Sequence, residues 1–163
     1  MTLLELGALG ELVGGVAIII SLIYVGLQIK QNTNAQRLST AHRISEDLAD
    51  LYLTPASSND LADIFMRGLT EIDALDGTDR LRFYGFLHKF FRTNENAHYQ
   101  FTHGALESEA YEGITEQFRF IASTPGGRIY WQDRRSWYSG RFQDYVDTLI
   151  AMSDGESMKL AGT

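Results

Sequence analysis

Residues 12–29 read LVGGVAIIISLIYVGLQI, eighteen consecutive positions without a charge. As a helix rising about 1.5 Å per residue the run is about 27 Å long, close to the roughly 30 Å hydrocarbon thickness of a bilayer. Its eleven aliphatic residues (Leu12, Val13, Val16, Ile18, Ile19, Ile20, Leu22, Ile23, Val25, Leu27 and Ile29) carry about −3 to −7 kcal/mol of insertion propensity, and Glu11 lies at the edge, where a carboxylate costs less than at the centre. The expectation is one membrane crossing, with residues 1–30 as the anchor. The competing reading is a core helix of a soluble protein, which the same length also permits.

Charge sets the expected direction of crossing. All fourteen Lys and Arg follow the apolar run, beginning with Lys30, Arg37 and Arg43, while Glu5 and Glu11 precede it. Basic residues next to a span stay in the cytoplasm, so the N-terminus is expected outside and the remainder of the chain inside. The opening MTLLELGALGELVGG is acidic where a secretory signal is basic, so cleavage is not expected. The absence of cysteine removes disulfides, thiolate metal sites and a cysteine nucleophile, in keeping with a reducing compartment.

Within the anchor Gly7, Gly10, Gly14, Ala17 and Ser21 recur at steps of three and four, which places them on one seam of a helix. Lipid offers no hydrophobic reason for spans to associate, so close backbone approach over small residues has to supply the contact. These five residues are the predicted partner-binding seam, for a membrane protein or a second copy of this chain. Glycine is also simply common in membrane helices, which is the bland account of the pattern.

Beyond the anchor, residues 31–153 are long enough for one domain with its own core, and 154–163, without periodic apolar content, read as a flexible tail. Counted from Lys30 onward the chain holds fourteen basic against nineteen acidic residues, a net charge of −5. Nucleic acid is therefore not an expected partner. Apolar residues recur at helical steps between the only two prolines, Pro55 and Pro125, so the fold is expected to be all-α: a single N-terminal transmembrane helix continuing into a cytoplasmic bundle of about five helices. The first helix is expected to run, with a bend near Gln31 to Asn34, to Leu53, where Thr54-Pro55 stops it. Ser58 or Asn59 caps the next; Asp76-Gly77 is a turn, after which Thr78 with Asp79 opens a long helix ending at Gly104; Ser108 opens another. Thr124 and Pro125 have the order of an N-cap and N1 proline for a helix through Trp137, and Ser139 caps the last.

In the long helix Phe83, Leu87, Phe90, Asn94, Ala97 and Phe101 form one stripe, broadened by Tyr84, Phe86 and Phe91, which marks it as central. Asn94, Glu95 and Asn96 are assigned to a structural polar core, Asn94 being expected to fix the packing of a neighbouring turn or helix end. His88, Glu95 and His98 are the only candidates for a metal, from the i, i+3 spacing of Glu95 and His98. No second such pair is present, so no metal, catalytic residue or cofactor is assigned. Gly126-Gly127 after Pro125, with Arg128 close by, resembles a phosphate-binding helix start only superficially and reads as close packing. The cluster Trp131, Trp137 and Tyr138 reads as core or helix-interface filling rather than a base-stacking platform.

The strings GELVGGVAIIISLIYVGLQIKQNTNAQR, RTNENAHYQ and STPGGRIYWQDRR together resemble a bacterial family of short hypothetical proteins in which a hydrophobic N-terminal helix runs into a QIKQNT-like turn. That resemblance implies a bacterial inner-membrane setting and draws attention to Asn94, Glu95 and Asn96; it implies no activity. The expected function is that of an accessory or scaffold subunit, docking through the small-residue seam. The alternatives are a metal protein or enzyme centred on His88, Glu95 and His98, and a binder of an apolar ligand among Phe83, Phe90, Phe91 and Trp131.

Overall fold

The computed structural model describes residues 2–161, with the side chains of residues 5, 6, 8, 9 and 156–161 left aside. Among the described residues there are six α-helices and no strand: α1 (Leu3–Ala56), α2 (Asn59–Thr70), α3 (Gly77–Thr102), α4 (Ser108–Ser123), α5 (Pro125–Arg134) and α6 (Gly140–Ala161). Short 3₁₀ turns follow α2 at Ile72–Ala74 and α5 at Arg135–Trp137. The chain divides into two compact units, residues 1–39 and 40–163.

The first unit is the N-terminal part of α1, helical without interruption through Gln31 to Asn34. Its large apolar side chains are exposed, Ile18 at 63%, Leu22 at 67% and Ile29 at 62%. Among the described residues this is the one helix long and apolar enough to cross a membrane.

The second unit comprises residues 40–56 of α1 and helices α2 to α6. Ile44, Leu48 and Leu51 recur at four and three residues and are buried, as a helix laid on a core requires. Helix α1 continues three residues past the expected stop at Leu53. Pro55 falls in its last turn, where the missing N–H removes only one bond, and the chain then closes through Ser57 N–H to the Thr54 carbonyl at 3.2 Å. Two of the expected caps form, at Ser58 and Thr124, and Asp76, expected only in a turn before Thr78 and Asp79, caps α3 as well. Ser58 accepts from Leu61 N–H, Asp76 from Asp79 N–H at 2.8 Å, and Thr124 from Gly127 N–H at 3.1 Å with Pro125 at the first position of α5.

Helix α3 is central, with Phe83, Leu87 and Phe91 fully buried. The Phe91 ring stacks on Trp131 of α5 at 5.5 Å and meets Tyr130 and Phe118 at 5.0 Å each. Phe142 and Val146 of α6 close the core from the far side. Two expectations for the later helices change. Helix α5 stops at Arg134, whose backbone leaves the helical region at φ −123° and ψ 0°, and the 3₁₀ turn that follows carries Trp137 to the surface, 53% exposed, while Trp131 and Tyr138 are buried. The backbone of α6 runs on to Ala161, through most of the stretch read as a flexible tail; residues 162–163 lie outside the described ones.

Candidate interaction sites

The predicted seam stands open on α1. A Cβ built on Gly7, Gly10 or Gly14 would meet nothing within 4 Å, and Ser21 donates to the Ala17 carbonyl of its own helix at 2.9 Å. A glycine costs a helix about 0.5–1 kcal/mol relative to alanine, and no packing within the described chain calls for these three.

The Asn-Glu-Asn segment on α3 splits into three different roles. Asn94 is buried, but its side-chain N–H donates back to the Phe90 carbonyl at 2.8 Å, so it satisfies itself within its own helix instead of fixing a neighbour. Glu95 does that work: one carboxylate oxygen accepts from Ser139 N–H at 2.8 Å, immediately before α6, and the other from Arg92 at 2.6 Å. Arg92 in turn donates to the Trp137 carbonyl at 2.9 Å and lies 4.6 Å from the centre of the Tyr138 ring. The bracket ties α3 to the turn between α5 and α6. Partial burial opposes ionisation of Glu95, yet the Ser139 amide and Arg92 outweigh it and hold the carboxyl below its usual range. Asn96, expected in the polar core, is exposed. Two residues advance a helix by about 200°, which turns Asn96 away from the face that buries Asn94.

The metal candidates are not brought together. His88 pairs through Nδ1 with the Tyr130 hydroxyl at 3.2 Å, which continues to Tyr138 at 2.8 Å; His98 pairs through Nδ1 with the Tyr111 hydroxyl at 2.7 Å; Glu95 holds the bracket just described. Among the described residues no group of three or more His, Cys, Asp or Glu is placed to hold a metal ion. Of the aromatic residues proposed to surround an apolar ligand, Phe90, Phe91 and Trp131 are packed on one another and Phe83 on Phe65, and the cleft beside Phe90, also lined by Leu51, Phe65 and Leu87, has a volume of only about 10 Å³.

The glycine pair at the start of α5 answers to packing. A Cβ on Gly126 would overlap the Gly68 carbonyl oxygen of α2, and one on Gly127 would overlap the Ile121 carbonyl oxygen. Arg128 is engaged by Asp154 at 2.6 Å and by the Ser123 carbonyl at 2.9 Å. The close crossing of α2 and α5 has only a partial signal in the sequence: Gly126-Gly127 is visible, whereas its counterpart Gly68 reads as an ordinary helical glycine.

No protein-family model matches the chain, and no curated protein or solved structure matches it either.

Proposed function

We propose that this chain is a membrane-anchored interaction protein, an accessory or scaffold subunit of a bacterial inner-membrane complex, with α1 spanning the bilayer and residues 40–163 held in the cytoplasm. The observation that supports the reading is the exposure of the apolar run, none of whose membrane-length window is buried. Soluble monomers rarely expose contiguous apolar surface beyond a few hundred Å², so the run calls for lipid or a protein partner as cover. Lys30, Arg37 and Arg43 after the run favour an N-out orientation. The open seam of Gly7, Gly10, Gly14, Ala17 and Ser21 is the surface proposed to meet a neighbouring helix, because bare backbone lets two helices approach closely where lipid gives no hydrophobic drive.

Two measurements test this. Expressed protein should sediment with membranes and require detergent; recovery in the soluble fraction would overturn the anchor. Replacing both Gly10 and Gly14 by Leu should leave insertion intact and release whatever co-purifies from native membranes. An unchanged set of co-purifying proteins would overturn the seam.

A further inference from the structure

A groove of about 370 Å³ opens on the second unit between residues 45–52 of α1 and 110–117 of α4. Its floor is Leu48 and Ile114, both buried, and its sides are the exposed small residues Ser45, Ala49, Ala110 and Gly113. On each helix the lining positions follow i, i+3, i+4 and i+7, so the groove is two helical turns long and runs between two facing edges. A Cβ on Gly113 would meet nothing within 4 Å, so this mid-helix glycine leaves space that the chain itself does not fill.

Apolar side chains adjoin the groove at both edges. Phe120, 71% exposed, stands three residues beyond the lining Gln117, and Leu53, 65% exposed, four beyond Ala49. Outside them the helices carry acid: Glu46 and Asp50 on α1 and Glu109, Glu112 and Glu116 on α4 are all exposed. His42 meets Glu46 at 3.2 Å, Arg119 meets Glu116 at 2.7 Å and Arg43 is exposed nearby on α1; five acids against two arginines leave the border negative overall. A slot two turns long, with an apolar floor, polar Ser45, Tyr52 and Gln117 along its sides and an acidic border, fits an amphipathic third helix with anchors at i, i+3 or i+4, and i+7 and with Lys or Arg on its flanks. A second copy would bring the same acids face to face, and the border repels an anionic bilayer surface.

We propose that this groove is the docking site for a basic amphipathic helix of a partner protein, a second contact surface independent of the one on the N-terminal part of α1. The chain contains no cysteine, so Ser45→Cys carries a photo-crosslinker at a unique place. The full chain, in buffer or in a zwitterionic nanodisc if it needs one, is offered a short synthetic amphipathic helix of leucine and lysine, or its leucine–glutamate counterpart. The expected result is saturable crosslinking of the lysine peptide alone, weakened by salt and reduced about tenfold, some 1.4 kcal/mol, by Gly113→Leu or by Ala49→Leu. Gly85→Leu, an exposed helical glycine elsewhere, should change nothing. The proposal is overturned by an absent crosslink, by equal crosslinking of the glutamate peptide or from Ser136→Cys, or by undiminished crosslinking in both filled variants whose helix content is unchanged. A copy-to-copy crosslink without peptide would assign the groove to a second copy and overturn it too.

Discussion

Gly126 at the start of α5 rests on the carbonyl of Gly68 in α2 so closely that the smallest side chain would collide with it. Backbone cannot move aside as a flexible side chain does, so Gly126→Ala should lower stability by about 2–3 kcal/mol. Gly85→Ala provides the contrast: that helical glycine faces open space, and the change should raise stability by about 0.5–1 kcal/mol. Urea unfolding of the two variants checks both signs.

The Glu95 bracket should appear as a loss of order at the junction of α5 and α6. Glu95→Gln removes the charged partner of Arg92 and weakens the acceptor for Ser139 N–H, for an expected cost of about 1–2 kcal/mol. Because its folded-state pKa is lowered, Glu95 contributes stability that is present above the ordinary glutamate range and lost as pH falls through the lowered folded value. A urea titration across the acid range should show a shallower decline for Glu95→Gln than for the parent chain.

His98 makes a second, separate pH dependence. It is desolvated, stacks on Tyr145 at 4.3 Å and pairs with the Tyr111 hydroxyl, and burial holds its pKa below the usual histidine value. The unfolded chain then takes up a proton first on acidification, so stability declines as pH drops below about 6.5 and levels off below the lowered folded value. His98→Gln should flatten that part of a melting-temperature profile measured between neutral pH and the carboxylate range.

Phe91 should be the costliest single truncation of the core. It is fully buried against Phe118, Tyr130 and Trp131, and Phe91→Ala should remove about 3–5 kcal/mol. Chemical denaturation reads the loss, and changed near-ultraviolet dichroism would report the freed Trp131.

Much of the helical framework was legible in the residues. Ser58 and Thr124 before apolar-periodic runs place two helix starts, because a cap needs only a side-chain oxygen near a free N–H. The stripe of Phe83, Leu87, Phe90 and Ala97 marks α3 as central for the same local reason. Helix ends were less legible: Pro55 is tolerated in a last turn, and the break after Arg134 has no proline or glycine to announce it.

The sequence by itself determined the all-α character, the long apolar helix and the order of the elements, since periodicity and capping act between residues a few positions apart. Only the tertiary structure decided which polar residues brace the fold. Whether Asn94 or Glu95 reaches a neighbouring element depends on where Ser139 arrives from forty-four positions away. Whether Gly68 matters depends on Gly126 crossing it, and the groove exists only because α1 and α4 stand apart. Such relations are set by the packing of whole helices, which no local spacing encodes.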